Sequence, residues 1–178
     1  STANGKGNLG KFAAAGLSFF VSTSFSKSFS LYGERVGALS VVCESKDEAA
    51  RVLSQLKLTI RTNYSNPPTH GAAVVSAVLN TPEWRTLWEK ELGEMRTRIK
   101  AMRQALADGL KAAGVTQDMT FIVNQVGMFS YSGLSKEQMQ RLRSEFGVYG
   151  TDSGRLCVAA LNSRNIDHVC QAIAAVMK

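Results

Sequence analysis

Short apolar runs and longer stretches of helical period alternate along this chain. Leu17-Ser18-Phe19-Phe20-Val21-Ser22 and Val36 to Cys43 (Val-Gly-Ala-Leu-Ser-Val-Val-Cys) are compact, rich in valine and phenylalanine, and suited to buried strands. Ser45 followed by Glu48 is a capping box, and it opens a helix with Val52, Leu53, Leu56 and Ile60 on one face. Asn63-Tyr64-Ser65-Asn66-Pro67-Pro68 breaks that helix, and a further helix is predicted from Pro68 to about Leu79. Thr81-Pro82-Glu83 supplies a cap and a first-turn proline. Behind it Trp84, Trp88, Met95, Ile99, Met102, Leu106 and Leu110 recur at threes and fours, as core positions of a long helix reaching towards Gly114.

After Gly114 the texture changes. Thr120 to Val123 and Met128 to Tyr131 read as short strands, as does the run from Arg155 to Ala159. Ser135-Lys136-Glu137-Gln138 is a second capping box, with Gly147 as the stop of its helix. Ile166, Val169, Ile173 and Val176 mark the apolar face of a last helix starting near Ser163. The pattern predicts a small α+β unit beginning within the long helix. Residues 1–12, glycine-rich and polar at their start, read as a flexible or foreign lead-in without the apolar core of a signal peptide.

Composition narrows the class. With 178 residues, 44% apolar and 20% charged, the chain has the make-up of one substantial globular domain or two small ones. No apolar run approaches the roughly 20 residues of a membrane helix. The formal charge of +7 raises nucleic-acid binding. However, the basic residues are mixed with acids, as in Glu89-Lys90-Glu91, which is the pattern of a solvated face. No nucleic acid and no membrane partner is expected. Cys43, Cys157 and Cys170 are odd in number and widely spaced, so free thiols in a reducing compartment are expected, with a cytoplasmic location. No metal site is expected, because close cysteine or histidine pairs are missing and His70 and His168 lie far apart.

The candidate chemistry sits in Ser24-Phe25-Ser26-Lys27-Ser28-Phe29-Ser30-Leu31-Tyr32-Gly33-Glu34-Arg35, between the two strand candidates. A lysine amine can form a Schiff base with an aldehyde cofactor. The hydroxyls of Ser24 and Ser26 and the guanidinium of Arg35 can hold a phosphate. Those are the requirements of a pyridoxal phosphate site. Arg155 lies between a glycine and an apolar strand, where a charge needs an anionic partner.

Five blocks in order carry a family resemblance. They are Ser24 to Gly37, Arg61 to Pro68 (Arg-Thr-Asn-Tyr-Ser-Asn-Pro-Pro), Gly127 to Leu134 (Gly-Met-Phe-Ser-Tyr-Ser-Gly-Leu), Glu145 to Tyr149 and Ser153 to Leu161. From about Ala13 onward the chain resembles the C-terminal part of bacterial aromatic-amino-acid aminotransferases, in the aspartate aminotransferase family of fold-type I pyridoxal phosphate enzymes. The resemblance implies an α/β fold: the C-terminal part of a cofactor-binding large domain over 13–90, then a small α+β C-terminal domain over 91–178, linked by the long helix. It implies Lys27 as Schiff-base lysine and proton shuttle, with Ser24, Arg35 and, less directly, Ser26 at the cofactor phosphate. Arg155 would clamp the substrate α-carboxylate, with Phe129 packing near the substrate. Arg61 would take a distal carboxylate in a neighbouring subunit's site, and Ser65 would approach that neighbour's cofactor phosphate, so a homodimer with shared sites is implied. Ser28, Ser30, Gly33, Cys157 and Leu161 lean towards the aromatic enzymes, and Asn66 leans towards the aspartate ones. The implied reaction moves an amino group from aromatic amino acids, and from aspartate, to 2-oxoglutarate. In the family the aspartate facing the pyridinium nitrogen lies upstream, so this chain is expected to be a partial copy without activity alone. The alternative is a non-catalytic fragment or interaction module presenting the two tryptophans of the long helix.

Overall fold

The two runs richest in valine and phenylalanine pair as strands. In the computed structural model, which describes residues 2–178 with side chains from residue 8, β1 (Phe19–Ser24) and β2 (Gly37–Val42) are antiparallel. Their register runs from Phe19 opposite Val42 to Ser24 opposite Gly37. The twelve residues between the strands form the loop that bears Lys27. The chain divides into two compact units, Ser1–Leu92 and Gly93–Lys178.

In the first unit a helix, α1 (Thr2–Ala14), runs where a flexible lead-in over 1–12 was expected. Ala13 and Ala14 are the strongest helix formers. Gly16, at φ 68°, turns its N–H back to the Ala13 carbonyl at 3.0 Å and ends the helix. The helix α2 (Lys46–Tyr64) is capped by Ser45, whose hydroxyl accepts the Glu48 N–H at 3.1 Å. The Glu48 carboxylate takes the N–H of Glu44 at 2.7 Å, so the expected reciprocal box closes one residue early. The apolar face of α2 is half-buried at Val52, Leu56 and Ile60, and Leu53 is exposed. The helix α3 (His70–Asn80) starts two residues beyond Pro68. Its buried Gly71 meets the loop: a methyl group there would stand 3.0 Å from Val36 Cβ.

The long helix is α4 (Pro82–Ala112), about 45 Å at ~1.5 Å per residue. Residues 82–92 fall in the first unit and 93–112 in the second. Trp84 and Met95, expected in the core, are exposed, whereas Trp88 is half-buried. Periodicity identifies a face but not whether another element covers every turn of it.

The second unit holds nearly all of the described core: Leu106, Leu110, Ile122, Met139, Leu142, Val158 and Ile173. The expected strand Thr120–Val123 is instead a helical turn, α5 (Phe121–Asn124). Asp118 accepts the Thr120 N–H at 2.9 Å, and the Met119 and Thr120 carbonyls take the N–H groups of Ile122 and Val123. The local side-chain bond therefore outcompetes β propensity over four residues. The strand β3 (Phe129–Tyr131) pairs antiparallel with β4 (Arg155–Cys157), Phe129 opposite Cys157 and Tyr131 opposite Arg155. Beyond Cys157 the expected strand tightens into a 3-10 turn at Val158–Ala160. Between the strands lies α6 (Lys136–Phe146), with a complete capping box of Ser135 and Gln138 and a left-handed Gly147 at its end. The last helix, α7 (Ile166–Met177), buries Val169, Cys170, Ile173 and Val176. Among the described residues no helix is long and apolar enough to cross a membrane.

Candidate functional site

The β1–β2 hairpin closes through a twelve-residue loop that aromatic contacts hold in place. Phe29 stacks on Trp88 of α4 at 4.7 Å between centroids and 18° between planes, and Phe25 meets Phe29 edge-on at 5.5 Å. The Trp88 indole N–H donates to the Ser28 carbonyl at 2.7 Å, which fixes the residue after Lys27. Ser30 and Arg35 hold φ values of 55° and 52°, a region that costs non-glycine residues conformational energy. Two such residues in one loop are the kind of strain that clusters at functional sites.

At the strand ends of the same loop Ser22, Thr23, Ser24, Ser26, Arg35, Val36 and Gly37 line an open hollow of about 260 Å³. The Ser24 hydroxyl donates to Ser26 Oγ at 3.1 Å and accepts the Ser26 N–H at 3.3 Å. Arg35 donates to the Tyr32 carbonyl at 3.0 Å through one terminal nitrogen. Gly37 permits the close approach at the wall, since a Cβ there would lie 2.6 Å from the Thr23 carbonyl oxygen. The side chains suit an anion such as a phosphate: two hydroxyls and a guanidinium around one concavity.

Lys27 is exposed and lies outside the lining of that hollow. Its Nζ sits 3.9 Å from the centroid of the Tyr32 ring, and the Arg35 guanidinium carbon is 5.7 Å from the same centroid. Tyr32 therefore draws the amine and the guanidinium to one ring. Of the first group of predicted residues, Ser24, Ser26, Lys27 and Arg35 all belong to this loop and its strand ends.

At the end of α2, Arg61 donates to Ser65 Oγ one turn on. Ser65 has φ 68°, and its N–H returns to the Ile60 carbonyl at 3.1 Å. Both side chains are exposed, so the two residues predicted to serve a neighbouring subunit form one surface pair.

In the second unit the Arg155 guanidinium carbon lies 4.9 Å from the centroid of the Phe129 ring. Phe129 is 41% exposed, so it serves this contact and not the core. The strand pair β3–β4 that carries this contact is held from α4. Arg103, 2% exposed, donates to the Ile122 carbonyl (3.0 Å), Ser130 Oγ (2.7 Å), the Gly127 carbonyl (2.8 Å) and the Phe129 carbonyl (2.7 Å). Burial pushes its pKa down. Arg98 donates to the Leu161 carbonyl at 2.8 Å and the Ala159 carbonyl at 2.5 Å.

Sequence reasoning missed Arg103, Tyr32 and the hydrogen bond from Trp88, expected only as a core residue, to the lysine loop. The signal for Arg103 was present: it lies four residues after Ile99 and three before Leu106, inside the apolar stripe. A charge on that stripe demands buried acceptors.

The family model described as Aminotransferase class I and II matches residues 6–173. An aspartate aminotransferase of Pseudomonas aeruginosa is 64% identical over 166 residues, covering 93% of this chain and 42% of that protein. An aromatic-amino-acid aminotransferase of Escherichia coli is 57% identical over 165 residues, again 93% and 42%. Among solved structures, an aromatic-amino-acid aminotransferase from Burkholderia pseudomallei, covalently bound to pyridoxal phosphate, is similar with a TM-score of 0.89 and 68% identity. It is covered over 42% of its length by 94% of this chain. The chain thus spans about two fifths of these relatives.

Proposed function

The chain belongs to the class I and II aminotransferases, and from that premise we propose that it is the C-terminal part of a pyridoxal phosphate-dependent transaminase. The proposed reaction moves an amino group from tyrosine, phenylalanine or aspartate to 2-oxoglutarate. The α/β class is common to the family; the finer assignment makes 13–90 the end of the large cofactor domain and 91–178 the small domain, with α4 as the link. A cytoplasmic homodimer with shared sites completes the proposal.

One observation carries the reading: a strained loop between two paired strands puts the Ser24 and Ser26 hydroxyls and Arg35 around one hollow, and sets the Lys27 amine on the ring that Arg35 also meets. These residues fit the cofactor. When bound, it supplies an aldehyde carbon for the lysine and an electron sink for the substrate α-carbon. Arg35 would offer a charged fork to the phosphate, and Ser24 and Ser26 would add hydroxyl donors. Lys27 would hold the cofactor and, once its amine is free, take up the proton from the substrate α-carbon. Trp88 fixes the backbone next to that lysine by its hydrogen bond to the Ser28 carbonyl. Arg155 would clamp the α-carboxylate against the Phe129 ring. Arg61 and Ser65 would extend into the partner subunit's site, where Arg61 meets a distal carboxylate and Ser65 the phosphate. Against the alternative of an interaction module, Trp88 is already engaged within the first unit by Phe29 and Ser28.

Titration of the chain with pyridoxal phosphate tests the reading. An absorbance change specific to bonded lysine is expected in the wild type, competed by inorganic phosphate and lost in Lys27→Ala. An identical change in Lys27→Ala would refute it.

A further inference from the structure

A buried guanidinium usually answers a carboxylate. Arg103 does not: its four acceptors are three backbone carbonyls and a hydroxyl, all neutral, and all between Ile122 and Ser130. Such an arrangement makes little sense as charge pairing and good sense as geometry. A planar fork can hold several carbonyls at fixed mutual positions, which an ammonium on a flexible stem cannot. The carbonyls so held belong to α5, to Gly127 at φ 91° and to Phe129 itself.

The net extends one step further. The Ser130 hydroxyl, which accepts from Arg103, donates to Gln125 Oε1 at 2.8 Å. That same oxygen accepts the Tyr131 N–H at 2.8 Å, and the Gln125 amide nitrogen donates to the Tyr131 carbonyl at 3.0 Å. Gln125 thus pairs with the backbone of β3 as a neighbouring strand would. Beyond the opposite strand, Arg98 holds the carbonyls of Ala159, in the 3-10 turn that follows β4, and of Leu161, which ends that turn. One helix therefore holds β3 directly and the turn that follows β4.

We infer that Arg103 is a positioning residue: its guanidinium, assisted by Arg98, Ser130 and Gln125, sets the Phe129 ring beneath Arg155 and so aims the Arg155 fork at a substrate carboxylate. The carboxylate part of this inference rests on the function proposed above. The positioning part stands on the contacts alone.

The test uses the full 178-residue chain, labelled for NMR. A guanidinium over an aromatic face has its side-chain protons shifted upfield by the ring current, and Phe129→Leu gives the unshifted value for Arg155. In Arg103→Lys the Arg155 protons move most of the way to that value while the α7 core resonances stay dispersed. Ser130→Ala, which removes one acceptor and little volume, gives a partial move in the same direction and serves if Arg103→Lys does not fold. Ile173→Val, a core change that alters none of the hydrogen-bonding groups of the net, leaves the Arg155 shift in place. An unchanged Arg155 shift in folded Arg103→Lys, or in Ser130→Ala if Arg103→Lys does not fold, overturns the inference. Titration of the wild type with glutarate on the same resonances reports separately on the substrate reading, because a silent Arg155 there counts against carboxylate binding and not against the clasp.

Discussion

Arg35 concentrates the argument at the scale of single residues. It occupies a left-handed backbone position, lines the hollow with Ser24 and Ser26, and reaches the Tyr32 ring. Arg35→Lys keeps the charge and loses the fork. Hydrogen bonds to charged groups are worth about 1.5–3 kcal/mol, so the affinity for pyridoxal phosphate should fall by roughly one to two orders of magnitude in titration. Unchanged affinity would remove Arg35 from the phosphate site. Cys170 provides a pH prediction. Burial, and then the nearby charge of Asp167, push its thiol from 9.0 up to about 11. The unfolded thiol ionises first as pH rises, so the folded state loses proton-linked stability between about 9 and 11, and that stability is fully present below the unfolded pKa. Denaturation of wild type and Cys170→Ala at pH 8 and 10.5 checks this: the wild type should lose more stability over the interval than the variant.

At the scale of elements, the strands and caps were legible because their signals are local. Valine-rich runs gave β1 and β2 to within about two residues, and the Ser135–Gln138 box closed as its spacing requires. Ser135→Ala should therefore cost about 1 kcal/mol, measured as a lowered Tm of the second unit. What the sequence hid was tertiary. Thr120–Val123 has strand residues, but the Asp118 carboxylate and the packing of Ile122 turn it into a helix. Arg103 was passed over because charges on α4 read as solvated, although its place in the apolar stripe distinguished it. The hairpin also depends on a residue that no periodicity marks. Gly37→Ala would drive a methyl group against the Thr23 carbonyl at the mouth of the hollow. Its expected outcome is weakened phosphate binding and faster amide exchange in β1 and β2.

At the scale of the whole molecule, the two units differ in how much they bury. Of the described buried apolar side chains, Val75 is alone in the first unit, and the others lie at Leu106 and beyond. Phe20, Leu39, Leu53 and Leu58 of the first unit are more than half exposed. Amide protection follows buried contacts and cooperative packing. Hydrogen exchange should thus be slow across α6, α7 and the second half of α4, and fast across α2, β1 and β2. Uniform protection would contradict this division. The resemblance blocks spread over both units, so the family was legible from the sequence although the contrast in burial was not.

The most direct measurement is covalent trapping. The chain is incubated with pyridoxal phosphate, reduced with borohydride, digested, and the modified peptide identified by mass. The account predicts a single dominant adduct on Lys27, suppressed in Arg35→Gln. An adduct spread over the surface lysines in proportion to their exposure, with Lys27 undistinguished, would contradict it.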